Sequence, residues 1–142
     1  MIRRARETEY EEVKRWSDVF FGDPYLSLEE YRKYADEPDG FLYVAEEEGE
    51  IIGCVVYRNI VGDVDITNVQ VKEAHRGRGT GAALMKAAMD EARKSGGLRF
   101  TLEVRESNKA AIALYKSLGF KAEGIRRGFY EHPREDAVIM WL

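Results

Sequence analysis

Apolar residues change their spacing along this chain, and each change marks an element. Residues 1–6 alternate weakly and predict an edge strand. Thr8 with Glu11 spells a capping box, and Val13, Trp16 and Phe20 follow at helical spacing until Gly22-Asp23-Pro24 breaks the pattern. Ser27 with Glu30 opens a second helix through Tyr34, which ends before Glu37-Pro38-Asp39-Gly40. Two strand-like runs, 41–47 and 51–58, flank Glu48-Gly49-Glu50 and read as a hairpin. Residues 64–71 predict the next strand. A long Ala/Leu/Met helix then runs to about Lys94 and stops at Ser95-Gly96-Gly97. Leu98 to Val104 is a further strand, and Ser107 is placed to cap a helix ending at Leu118, with Gly119 as the stop. Residues 120–126 and 136–142 are the last two strands, and the loop between them holds Gly128, His132 and Pro133.

The predicted order is β-α-α-β-β-β-α-β-α-β-β, with no repeat, linker or low-complexity segment. That predicts one mixed α/β domain over residues 1–142. Composition narrows the function. Apolar content of 44% with 34% charged residues fits a globular protein. A net charge of −4 argues against general nucleic-acid binding, although Arg3, Arg4, Arg6 and Arg126, Arg127 are local basic clusters. Cys54 is the single cysteine and sits in an apolar run, as a small core residue would. No apolar stretch approaches the roughly 20 residues that span a bilayer, and the basic N-terminus leads into no long apolar segment. The expected compartment is the cytoplasm. His75 and His132 have no partner motif, the acidic run Glu46-Glu47-Glu48 reads as a solvated turn, and no metal site is expected.

The candidate chemistry begins at Arg76-Gly77-Arg78-Gly79-Thr80-Gly81, where a strand gives way to the long helix. Backbone N–H groups without helical partners, together with the helix dipole, favour a phosphate or pyrophosphate there. Three cofactor classes compete. A triphosphate loop needs Gly-Lys-Ser or Gly-Lys-Thr, which is missing. Gly77, Gly79 and Ala82 fit a dinucleotide fingerprint, with Glu103 at the end of the next strand as the ribose ligand. Against this, Lys72 to Arg76 separate the strand from the first glycine, and further βαβ units are lacking. The third class is acetyl-CoA.

The loop resembles the Arg/Gln-x-x-Gly-x-Gly/Ala signature of the GNAT N-acetyltransferases. A second segment, Leu102-Glu103-Val104-Arg105-Glu106-Ser107-Asn108 through Tyr115 to Gly119-Phe120, is similar to the N-terminal protein acetyltransferases of that family. Arg126-Arg127-Gly128-Phe129-Tyr130 and Glu135 to Met140 extend the likeness, which covers residues 41–142 well and the first 40 in pattern only. The subgroup nearest in these motifs acts on the alanine terminus of a small-subunit ribosomal protein. The resemblance implies the acyl-CoA N-acyltransferase fold: a mixed, mostly antiparallel sheet flanked by helices. It also implies acetyl transfer from acetyl-CoA to an amine, with CoA as product. The implied acceptor is a protein N-terminus; a small amine or a lysine side chain is the alternative. A CoA-binding protein without catalysis lies outside that class.

Direct attack of an amine on a thioester needs a neutral amine, an oxyanion donor and a proton for the thiolate. An α-amine (pKa about 8) loses its proton more readily than lysine (about 10.4). By resemblance, Glu103 accepts that proton and Tyr115 supplies one to the thiolate. The alternative for Glu103 is a pair with a basic neighbour such as Arg105 or Arg127, and for Tyr115 a place in a core stripe with Ile112 and Leu118. The resemblance gives the pyrophosphate to Arg76, Gly77, Arg78, Gly79, Thr80 and Gly81. It gives the pantetheine arm to the backbone of Val69, Gln70 and Val71 and to Asn108, whose alternative role is a helix cap. Pro24, Tyr25 and Tyr130 are implied to line the acceptor groove, while Phe129 stands where the family has a tyrosine. The sequence leaves oligomeric state open.

Overall fold

The continuous apolar run from Ile51 to Tyr57 becomes the centre of a strand buried on both faces, residues Glu50–Ile60. The computed structural model describes residues 1–21, 27–36, 40–131 and 133–142. Its elements are β1 (Ile2–Arg4), α1 (Tyr10–Phe21), α2 (Leu28–Asp36), β2 (Gly40–Glu47), β3 (Glu50–Ile60), β4 (Asp63–Val71), α3 (Thr80–Lys94), β5 (Arg99–Arg105), α4 (Lys109–Ser117), β6 (Lys121–Glu131) and β7 (Arg134–Trp141). The order is the predicted one, with short 3-10 turns added at Glu7–Glu9 and Glu73–His75. The strands form one sheet, β1-β2-β3-β4-β5-β7-β6, antiparallel at every junction but β4–β5.

Helix starts show where local chemistry departs from the sequence reading. Ser27 and Glu30 do form their reciprocal box, each bond 3.0 Å. Thr8 does not start α1. The 3-10 turn comes first, and the Glu9 carboxylate accepts from the Arg6 amide at 2.7 Å while Arg3 grips it with two further bonds. The charge-assisted pair outcompetes a Thr cap. Asn108, not Ser107, caps α4: its Oδ1 accepts from the Ala111 amide at 3.1 Å, and the Ser107 amide donates to Glu135 instead, at 2.6 Å. The β2–β3 turn is Glu48-Gly49, both at positive φ, as a tight hairpin requires.

The two sheet faces carry separate cores. Leu84, Met85, Ala88, Met89 and Ala92 of α3 pack on Val64, Ile66, Phe100, Leu102 and Met140, with Tyr115 of α4 beside them. On the other face Tyr10, Val13 and Tyr31 cover Leu42, Val44, Cys54 and Val56. That second cover sits over β2 and β3 and leaves the same face of β4 and β5 to polar residues. Cys54 is fully buried, as expected.

One irregularity positions the site. The parallel pairing of β4 with β5 spans only Asp63↔Arg99 to Ile66↔Leu102. Beyond it, β4 stays with β3 as far as Val71, and β5 stays with β7 as far as Arg105. The sheet therefore splits, and the backbone edges of Thr67–Val71 and Glu103–Arg105 face a cleft.

Candidate active site

Two cavities occupy that cleft. One, of about 380 Å³, is lined by Val69, Gln70 and Val71 of β4, by Arg76, Gly77, Gly79, Thr80 and Gly81 of the glycine loop, and by Asn108 and Tyr115. The other, of about 390 Å³, is lined by Asp65, Thr67 and Val69, by Glu103 and Arg105, by Arg126, Phe129 and Tyr130, and again by Asn108 and Tyr115. They share Val69, Asn108 and Tyr115. Of the residues picked from the sequence, Pro24 and Tyr25 lie outside the described residues. Arg78 does not line the glycine-loop cavity; the others line one cavity or both.

The glycine loop fits a pyrophosphate. Gly77 and Gly79 hold φ near +77° and +80°, a left-handed conformation that turns the chain sharply into α3. Gly79 caps α3 without a side chain, and the first amide engaged within the helix is that of Ala83, bonded to the Gly79 carbonyl at 3.0 Å. The Thr80, Gly81 and Ala82 amides thus point out of the helix start toward the cavity. A Cβ on Gly81 would meet the Leu114 side chain at 3.1 Å, so this glycine lets α3 approach α4. Arg76 turns back to the Val71 carbonyl at 2.9 Å, and Arg78 pairs with Glu47 at 3.2 Å and touches His75.

Glu103 and Tyr115 face the junction from opposite sides. Strand alternation puts Phe100, Leu102 and Val104 into the α3 core and Glu103 on the polar face. Its carboxylate lies 3.5 Å from Arg126. A basic neighbour is therefore present, as the alternative reading had it, but it is Arg126 and not Arg105 or Arg127. Arg105 is taken by Glu135 and the Pro133 carbonyl, and Arg127, next along β6, turns to Asp136. Burial pushes the Glu103 carboxyl above the usual carboxylate range; Arg126 pulls it down, and Asp65 adds to the rise. Tyr115 is 6% exposed, packs against Phe120 and, among the described residues, makes no hydrogen bond through its hydroxyl. Burial pushes its hydroxyl up to about 12.

Tyr130 and Phe129 lie on β6, not in a loop as the sequence suggested, because the last hairpin extends to Glu131 and Arg134. The two rings meet edge to face at 5.0 Å, and Arg105 lies over Tyr130. Asp65, Thr67 and Arg126 were missed as cavity residues. The polar alternation Asp63-Asp65-Thr67 against Val64 and Ile66 was the available signal for the first two. Arg126 carried none, since only the β6–β7 register brings it to Glu103. Among the described residues no three His, Cys, Asp or Glu side chains gather to hold a metal ion, and no helix is long and apolar enough to cross a membrane.

Residues 10–120 match the Acetyltransferase (GNAT) family. The chain belongs to that family. This GNAT protein is 30% identical over 141 residues, 99% of its length, to 93% of a Bacillus subtilis (strain 168) protein provisionally named a ribosomal protein bS18-alanine N-acetyltransferase. An N-alpha-acetyltransferase of Sulfurisphaera tokodaii is 31% identical over 98% of the chain and 90% of that protein. Among solved structures, the ribosomal-protein-S18-alanine N-acetyltransferase of Escherichia coli superposes with a TM-score of 0.85 at 30% identity, covering 100% of this chain and 92% of that one. The protein is thus an acetyl-CoA-dependent acetyltransferase with the GNAT fold.

Proposed function

We propose that this acetyltransferase acts on the α-amine of a peptide or protein N-terminus. The observation that carries the reading is the meeting of two cavities at Val69, Asn108 and Tyr115: one ends at the glycine loop, the other opens past Glu103 to Tyr130. The names of the relatives in B. subtilis, S. tokodaii and E. coli support it. Acetyl-CoA supplies the acetyl thioester. The outward amides at the start of α3 suit its pyrophosphate, and the cleft edge of Val69–Val71, with Asn108, suits its amide-bearing arm.

Glu103 takes the proton of the incoming amine, directly or through one water. Its raised proton affinity brings it nearer to an amine of pKa about 8. The N–C bond forms as the C–S bond breaks, and the Tyr115 hydroxyl gives its proton to the departing sulfur. A hydroxyl that keeps its proton up to about 12 is in the donor form at neutral pH. The cytoplasm, where new protein termini emerge, is the compartment this reading implies; fractionation checks it.

Incubation with acetyl-CoA and short peptides, with free-thiol detection and mass analysis of the terminus, tests the reading. The expected product carries one acetyl group on its α-nitrogen. Turnover of small amines or lysine side chains with no terminal acetylation would refute it.

A further inference from the structure

The larger cavity holds a carboxylate that the transfer chemistry leaves unused. Asp65 lies between the core-facing Val64 and Ile66, so it stands on the Glu103 side of the sheet and lines the same 390 Å³ space. It is half-buried, yet among the described residues it makes no hydrogen bond or ion pair. Arg58, its register partner on β3, and Arg126 on β6 act on it only from beyond contact distance. Arg126 is already committed to Glu103. A carboxylate withdrawn from water without a contact partner is unfavourable, and burial is the main cause of its raised proton affinity. A cation arriving with the acceptor relieves that cost.

Its position says which part of the acceptor would carry the cation. The last β4–β5 pair is Ile66↔Leu102, so Thr67 stands next to Glu103's level and Asp65 lies two residues back. Two residues of strand are about 7 Å. That backbone offset sets Asp65 beside the level of Glu103 and not at it, within reach of a side chain one or two residues into the acceptor.

We propose that Asp65 is a specificity-determining residue, selecting acceptor termini with a cationic side chain in their first two residues and rejecting acidic ones. The inference rests on the N-terminal reading above. Its test supplies acetyl-CoA and matched peptides bearing Arg, Ala or Glu at position one or two; arginine avoids a second acetylatable amine.

Wild-type protein should favour the Arg over the Glu peptide by about tenfold or more in kcat/KM, D65N should bring that ratio close to unity, and D65K should invert it. Peptide affinities for the CoA-loaded protein, measured without turnover, should follow the same order. A wild-type enzyme indifferent to charge, or a preference that D65N and D65K leave intact, overturns the proposal. So does equal loss of all peptides in D65N with binding order unchanged, which would place Asp65 on the amine itself. If the wild-type protein acetylates no peptide terminus while turning over small amines, the N-terminal reading fails and takes this inference with it.

Discussion

The Arg105 guanidinium lies 4.3 Å over the ring of Tyr130 while it donates to Glu135 at 3.2 Å and to the Pro133 carbonyl at 2.9 Å. Glu135 in turn accepts from the Ser107 amide, so one arginine ties the β6–β7 hairpin to the start of α4 and holds Tyr130 against the cavity. Arg105→Lys keeps the charge but loses the planar fork. Peptide KM should rise by about threefold to tenfold, the size of a lost cation–π contact, with little change in the KM of acetyl-CoA. Steady-state kinetics with each substrate varied separately checks this.

Glu103→Gln should lower kcat by about a hundredfold or more, the usual cost of a missing general base. The pH profile gives a sharper reading. Glu103 works deprotonated, so activity falls on the acid side as pH drops through its raised pKa. Arg126 holds that pKa down. Arg126→Gln should therefore move the acid limb of kcat/KM to higher pH.

Tyr115→Phe removes only the hydroxyl from a ring packed in the core. Thermal unfolding should stay close to wild type, within about 0.5 kcal/mol, while kcat falls by about tenfold to a hundredfold. Because burial holds the wild-type hydroxyl up to about 12, Tyr115 should contribute no alkaline limb near neutral pH.

Gly79 sits at φ +80° with nothing within 4 Å of an added Cβ, so a side chain there meets strain and not crowding. Gly79→Ala should weaken CoA binding several-fold, at about 1 kcal/mol of backbone strain, and Gly79→Asn should cost less because Asn tolerates this conformation. The shift of melting temperature with added CoA measures both.

Element order was legible where a break carries its own punctuation: Glu48-Gly49, Ser95-Gly96-Gly97 and Gly119 each stop what precedes them. The glycine loop and Tyr115 were legible because their signals are local. Tertiary pairing decided the rest. Glu9 won the first cap because Arg3 folds onto it from β1, and Asn108 won the last because Glu135, 28 residues from Ser107, engages that residue's side chain as well as its amide. Arg126 reaches Glu103 from two strands across the sheet, β6 over β7. Spacing along the chain carries no trace of such contacts.

An opened sheet exposes interior strand edges of the kind that recruit foreign strands and seed aggregation. Here both edges lie inside a wedge that the β4–β5 pairing closes at one end. A strand approaching lengthwise would have to displace α4 or the β6–β7 hairpin to lie along either edge. What reaches these edges has to be slender enough to enter the two cavities that meet at Val69, Asn108 and Tyr115. The wedge is thus a rule of size that acts before any side chain is recognised, and under the N-terminal reading proposed above it admits the end of a polypeptide and not its middle.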